Sequence, residues 1–304
     1  MGSMYYCRRK VKGFKMIIAI NYANRAFKKA QRLNAKTAIK IGRANRVICY
    51  TWEDIDQDFY TKNEDTLLAK RGNGYYLWKP YFIYKAYKEL KDGDYLIYTD
   101  SGSVYVNKIQ YLIDCMEKEG MELMIFSLEN EMLEKKYTKR DAFVLMGCDC
   151  EKYTDTPQSI GGYVLLKKSE FVEKFLLEDL AYAQDCRIIT EQDNTQGLDN
   201  YPGFVAHRHD QSIWSLMSKK YQLKRFRDPS QFGLERSYER DVEERSLFPQ
   251  IIDSHRMGNV QFMWQIRFRR NKYVQMIKYK IFLWKQCKKQ NENTKPAMER
   301  KFGS

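Results

Sequence analysis

Asp94-Tyr-Leu-Ile-Tyr-Thr-Asp100-Ser-Gly102 is an apolar run that ends abruptly in a carboxylate and a glycine. Buried parallel strands read this way, and open α/β sheets collect ligands just beyond the carboxyl ends of their strands. The pattern therefore predicts a strand with Asp100 at its ligand-bearing rim. An aspartate there can hold a divalent cation against a diphosphate.

Working outward, the same alternation recurs. Met16-Ile-Ile-Ala-Ile-Asn-Tyr22 suits a buried strand, and Arg25 to Ile41 favours helix through its alanines, lysines and arginines. Arg46-Val-Ile-Cys-Tyr-Thr51 supplies a second strand, so a right-handed parallel crossover is expected. Arg71-Gly-Asn-Gly74 is a turn, Trp78 to Leu90 a helix with Pro80 in its first turn, and Asp92-Gly93 a helix stop. Asp92-Gly-Asp94 is thus a turn at the opposite end of the sheet from Asp100. A helix near Val106 to Glu119 and the strand Glu122-Leu-Met-Ile-Phe-Ser127 follow. Farther on come a strand in Ser159-Ile-Gly-Gly-Tyr-Val-Leu-Leu-Lys167, an amphipathic helix over Glu170 to Gln184, and a helix beginning near Asp210. The expected fold class is α/β, a mostly parallel central sheet flanked by helices. Residues 4–258 form the main domain, with halves of about 4–130 and 131–258, and residues 259–304 form a basic helical tail.

Composition limits the class. Of 304 residues 43% are hydrophobic and 30% charged, with 16 glycines and 6 prolines, which fits a folded globular chain. Seven scattered cysteines without a Cys-x-x-Cys pair suggest neither a disulfide framework nor a zinc knuckle, and point to a reducing cytosol. No apolar run approaches the roughly 18 residues of a spanning helix, and no signal peptide is visible, so a soluble or peripheral protein is expected.

The net charge of +14 is concentrated at one end. Residues 261–304 hold twelve Lys/Arg against Glu292 and Glu299. Phe262, Trp264, Ile266, Phe268, Ile277, Ile281 and Trp284 interleave with those cations, and neither proline nor glycine interrupts residues 260–290. Such a helix can lie on an anionic membrane through residues 261–290, each cation contributing on the order of 1 kcal/mol. Packing of one face on the main domain is the competing reading. A nucleic-acid role is not expected, because no RRM, KH, helix-turn-helix or zinc-finger pattern is present.

Together, Gly72-Asn-Gly-Tyr-Tyr-Leu-Trp-Lys-Pro-Tyr81, Tyr98-Thr-Asp-Ser-Gly102, Lys139-Arg-Asp-Ala-Phe143 and His207-Arg-His-Asp-Gln-Ser212 resemble bacterial GT-A (Rossmann-like) glycosyltransferases of capsular polysaccharide and lipopolysaccharide biosynthesis, over about residues 16–220. The resemblance implies a nucleotide-sugar donor, usually UDP-linked, and a saccharide or lipid-linked glycan acceptor; with the cysteine usage and the basic tail, work at the cytoplasmic membrane face is expected. It also implies a divalent cation, Mn²⁺ or Mg²⁺, held by Asp100 and a late histidine, for which His255 fits by order. The family's Asp-x-Asp departs here to Asp100-Ser101-Gly102, which removes the second carboxylate.

The donor-side candidates are Asn21, Tyr22, Arg71, Trp78, Lys79, Asp100, Ser101 and Gly102. Cations neutralise diphosphate and aromatic rings stack on bases. Asp210 is the candidate base for an inverting transfer, although a carboxylate at a helix start is equally an N-terminal cap. Asp141, Asp149, Gln158, Gly161, Gly162, His207 and His209 are the acceptor-side candidates. A noncatalytic nucleotide- or glycan-binding protein remains the alternative.

Overall fold

The computed structural model describes residues 15–255, the backbone of Met4–Cys7, and the isolated positions Ile277, Lys280, Ile281 and Trp284. Nine strands are present among these residues: β1 (Met4–Cys7), β2 (Ile17–Tyr22), β3 (Arg46–Tyr50), β4 (Tyr95–Thr99), β5 (Ser103–Tyr105), β6 (Leu123–Ser127), β7 (Tyr163–Lys167), β8 (Arg225–Arg227) and β9 (Ile252–Ser254). Seven form one sheet in the order β1-β3-β2-β4-β7-β6-β8. β3, β2 and β4 are mutually parallel, β7 is antiparallel to β4 and β6, and β8 is parallel to β6. Five strands therefore point one way, with β1 and β7 reversed. The expected mixed α/β, mostly parallel sheet flanked by helices is observed.

These apolar runs form strands because both of their faces are covered. Ile18 and Ile20 join Leu96, Tyr98, Val164 and Leu166 in one core, whereas Ile17 and Ala19 join Tyr95, Ile97, Leu165 and Met124 in the other. The first core is closed by helices α2 (Trp78–Lys88), α4 (Glu170–Ala183) and α5 (Asp210–Lys220); α1 (Lys28–Thr37) and α3 (Gln110–Lys118) contribute to the second. Such strands read as near-continuous hydrophobic runs.

The chain passes from β2 outward to β3 and returns to β4 on the other side of β2. This reversal opens a crevice at the carboxyl ends of β2 and β4, where ligands of open α/β sheets bind. Tyr22 and Asp100 stand at that crevice. A two-stranded ladder of β5 and β9, paired antiparallel with Ser103 opposite Ser254, folds the late part of the domain against the Asp100 turn. The His255 amide donates to the Gly102 carbonyl at 2.9 Å. Sequence patterning had not identified β5, β8 or β9, each three residues long.

Most of the expected tail lies outside the described residues, as does the expectation that one of its faces packs on the main domain. Ile277, Lys280, Ile281 and Trp284 are helical, and all four are exposed. Among the described residues no helix is long and apolar enough to cross a membrane. The described cysteines, Cys49, Cys115, Cys148, Cys150 and Cys186, are free thiols.

Candidate functional site

The turn after β4 leaves the Asp100 side chain about half exposed (51%), and just beneath it lies a buried cation. Lys79, in the first turn of α2, is 8% exposed; its Nζ is 2.6 Å from Asp210 Oδ2 and 3.7 Å from Asp100 Oδ1. It also donates to the Gly161 carbonyl at 3.1 Å. The rings of Tyr76, Trp78 and Tyr98 surround the ammonium with centroids 5.4, 5.8 and 5.5 Å away. Burial disfavours the charged amine, but the carboxylates of Asp210 and Asp100 outweigh it and hold the Lys79 pKa above the usual lysine value. The floor of the crevice is therefore a fixed positive charge between two carboxylates. Tyr98 donates its hydroxyl to Asp100 Oδ1 at 2.5 Å, and burial followed by the Asp100 charge raises the Tyr98 pKa well above its ordinary value.

Asp210 begins α5 but is buried (8% exposed), facing Lys79 rather than the open crevice. No side-chain N-terminal capping bond is made at this helix, so capping does not account for it. The sequence reading placed Asp210 as a base at the cleft; in the structure it is the buried counter-charge of Lys79.

The glycine pair Gly161–Gly162 allows close approaches within the protein. A Cβ on Gly161 would sit 2.8 Å from Gln211 Cβ, and one on Gly162 would sit 3.1 Å from Asp100 Oδ2. These glycines admit α5 and the Asp100 turn, which are protein elements, and Asp100 N bonds the Gly162 carbonyl at 3.0 Å. Ser101 Oγ ties the same turn to the Tyr22 carbonyl at 2.5 Å.

Gly72 to Tyr76 has left-handed φ at five successive residues: 57°, 56°, 93°, 49° and 63°. For a non-glycine residue this costs roughly 1–2 kcal/mol. Three such residues, Asn73, Tyr75 and Tyr76, are held there by tertiary contacts. Asn73 donates to the Tyr22 hydroxyl at 2.5 Å, Trp78 Nε1 donates to the Gly72 carbonyl at 3.1 Å, and the Tyr75 and Tyr76 rings lie 5.1 and 5.9 Å from His209. Backbone strain of this size concentrates at ligand clamps and active sites. The sequence showed only a glycine-rich turn.

Several candidates are turned inward. Asn21 is buried and its amide nitrogen donates to Asn34, which in turn reaches Thr99 Oγ1 and the Ser103 carbonyl. Tyr22 and Trp78 stack on each other at 3.9 Å between centroids. Both are buried, so their ring faces are shared rather than presented to a base. His207 Nδ1 accepts from Lys139 N and Nε2–H donates to the Ile188 carbonyl, which fixes its tautomer. His209 Nδ1 bonds the Ile189 carbonyl, and its φ of 51° is strained. Burial lowers the pKa of both imidazoles, so they are neutral struts holding Arg208 to Asp210 against Ile188 and Ile189. Gln158 is fully buried: its amide nitrogen faces Glu134, Thr138, Ser212 and the Tyr137 carbonyl, and its oxygen accepts from Arg208 and Gln211. Asp149 pairs with Arg140 at 2.8 Å and accepts from Tyr201. Asp141 is fully buried and accepts from Thr195 N, Thr195 Oγ1 and Gln196 N. In this structure the polar atoms of these acceptor-side candidates are engaged by the protein itself. Arg71 alone among the donor-side cations is well exposed, 3.2 Å from Glu191.

Two functional-site residues were not singled out from the sequence. Glu191 pairs with Arg71 at 3.2 Å, and its carboxylate lies 3.4 Å from His209 Nε2. Asp179 is buried in α4, lining a small internal cavity with Lys79, Asp210 and Trp214. Its spacing carried a signal: it falls in the buried stripe Val172, Phe175, Leu176, Asp179, Ala183.

No group of three or more His, Cys, Asp and Glu gathers as a metal cage among the described residues. Asp100 has an exposed carboxylate, its motif neighbour is Gly102, and the Lys79 ammonium already neutralises it in part. The protein alone therefore does not fit a closed metal site.

No protein-family profile and no curated protein matches the chain. Among solved structures it is similar to mouse xyloside xylosyltransferase 1 in its apo form, with a TM-score of 0.42 and 11% identity over 71% of this chain and 86% of that one. It is also similar to the apo bifunctional glycosyltransferase WbbM, with a TM-score of 0.36 and 11% identity over 69% of this chain and 38% of that one. Likenesses this loose carry no residue's role from one protein to another.

Proposed function

We propose that the chain is a GT-A glycosyltransferase that moves a sugar from a nucleoside diphosphate sugar, UDP-linked by the sequence resemblance, to a saccharide or lipid-linked glycan acceptor of a bacterial surface polysaccharide. The observation that carries the reading is Asp100, an exposed carboxylate at the strand-order reversal, set over the buried Lys79–Asp210 pair. Departure of a nucleoside diphosphate develops negative charge, and preorganised positive charge in a water-poor site stabilises it. Lys79 supplies a fixed cation whose position Asp210 maintains, and Arg71 offers an exposed guanidinium at the rim. Asp100 faces the donor. Asp210 acts through Lys79 and is a positioning residue.

A divalent cation, if the reaction uses one, would be held by Asp100 together with the donor's own diphosphate, with His255 beside the same turn through its bond to Gly102. Such an ion would supply Lewis-acid stabilisation of the leaving phosphate. Residues 4–258 form the catalytic domain in this reading, and residues 259–304 attach it to the anionic inner face of the plasma membrane. Ile277, Ile281 and Trp284, each helical and exposed and spaced four and three residues apart in the sequence, support that attachment.

The test incubates the full chain with UDP-, GDP- and CMP-sugars, with and without Mn²⁺ or Mg²⁺, and measures released nucleotide. Turnover should appear with at least one donor and fall by about a hundredfold in Asp100→Asn, with the thermal midpoint unchanged because that side chain is solvent-facing. Absence of binding and release for every donor refutes the reading; binding without release supports the noncatalytic alternative.

A further inference from the structure

A second hollow near this site lies outside the Asp100 crevice. The connection from α4 to α5 runs through residues 190–206 with no helix or strand, and encloses a pocket of about 760 Å³ lined by residues that include Glu191, Asp193, Leu198, Asp199 and Phe204. Structureless connections of this length inside a domain are usually binding loops or disordered segments. This one is built. The buried Asp141 carboxylate accepts three hydrogen bonds from Thr195 and Gln196, at 2.7, 2.9 and 3.1 Å. Asn200 Oδ1 accepts from Arg140 N at 2.7 Å, Lys139 Nζ donates to the Gln192 carbonyl at 2.6 Å, and Val205 N bonds the Lys136 carbonyl at 2.8 Å.

Three chemical properties describe the walls. Leu198 and Val205 are exposed hydrophobics, and Phe204 is half-buried beside them. Carboxylate and amide side chains make up much of the remaining lining. Glu191, Asp193 and Asp199 outnumber the single lining cation, Lys139, whose ammonium is buried against the Gln192 carbonyl. A volume of this size holds a small ligand of several rings. Apolar patches suit the C–H faces of a sugar ring, while carboxylates and amides suit its hydroxyls. Glu191 ties the pocket to the reaction centre, its carboxylate lying 3.2 Å from Arg71 and 3.4 Å from His209, next to Asp210.

We infer that this pocket is the subsite for the acceptor saccharide and that it takes neutral or amino-bearing sugars and rejects those carrying a carboxylate or phosphate. The inference rests on the glycosyl-transfer reading for its acceptor role. The rejection follows from charge: an anionic sugar would face like charges on the lining, a repulsive element of the kind that sets specificity.

The experiment is saturation-transfer NMR on the full chain with methyl glucoside, methyl galactoside, methyl glucosaminide and methyl glucuronide, with UDP binding measured in parallel. The neutral and amino glycosides should bind, and the glucuronide should not. The double variant Leu198→Ala with Asp199→Ala should weaken glycoside binding at least fivefold, and Asp199→Arg should admit the glucuronide. Both residues are exposed and neither anchors the loop, so UDP binding should stay within twofold. Failure of every neutral and amino glycoside to bind, equal binding of the glucuronide, or wild-type binding by the double variant would overturn the inference. Glycoside binding with no nucleotide bound to the wild type would instead refute the transfer reading and leave the pocket a saccharide site.

Discussion

Replacing Lys79 with methionine tests the centre of the site, because it keeps the shape of the side chain and removes its charge. The ammonium lies 2.6 Å from Asp210, 3.7 Å from Asp100 and 3.1 Å from the Gly161 carbonyl, and it is almost fully buried. Asp100 is exposed, so water screens what it loses. Asp210 is not, and removing one partner of a buried ion pair typically costs about 3–5 kcal/mol because the other charge is left uncompensated. For a domain of about 150–250 residues each kcal/mol moves the thermal midpoint by about 2–4 °C, so a fall of about 6–20 °C is expected in Lys79→Met at pH 7.5. The deficit should shrink on acidification. Without the cation, burial acts on Asp210 unopposed and raises its pKa, and a protonated Asp210 no longer needs a partner. Lys79→Met with Asp210→Leu, which removes both charges, should recover most of the loss. Thermal and urea unfolding followed by circular dichroism at pH 7.5 and 4.5 measure all three proteins. A loss below about 1 kcal/mol, or a loss as large at pH 4.5 as at 7.5, would refute the buried-pair reasoning.

Two further outcomes follow from the surroundings of this pair. Asp179 is buried and receives no hydrogen bond from a described residue; burial, then Asp210, push its pKa well above the usual carboxylate value. The folded protein therefore binds more protons than the unfolded one above pH of about 4, where a free aspartate ionises, so Asp179 lowers stability progressively as pH rises. Asp179→Asn removes that slope: unfolding curves should show it more stable than wild type at pH 7 and equal near pH 3.5, and an equal difference at both would sink the assignment. Asp141→Ala leaves three loop donors without their buried carboxylate, which should cost about 1.5–3 kcal/mol in urea unfolding. Limited proteolysis should then cut between residues 191 and 200, and an uncut loop would show that Asp141 is not its anchor.

The strands were legible because burial on both faces writes itself into local sequence as an unbroken apolar run; β2, β3, β4, β6 and β7 all lie where those runs lie. The position of Asp100 was legible for the same reason, since it is the first charged residue after such a run. Short elements were not, because three residues hold too little pattern and form only when a distant partner pairs with them, as β9 does with β5. The helix of Glu170 to Ala183 was read, yet the acid in its apolar stripe passed unnoticed because its meaning lies in Lys79 and Asp210 across the cavity.

By itself the sequence determined the strand and helix order, the rim position of Asp100 and the residue types able to bind a phosphorylated sugar. Only the tertiary structure decided which of them face a ligand. His207, His209, Gln158 and Asp141 have the chemistry of a binding site, but buried polar groups must be satisfied, and the fold satisfies them with its own backbone and side chains. Lys79 and Asp210, 131 positions apart, illustrate the reason: nothing in the local pattern of either records a 2.6 Å contact that exists only once α2 and α5 pack against the same sheet.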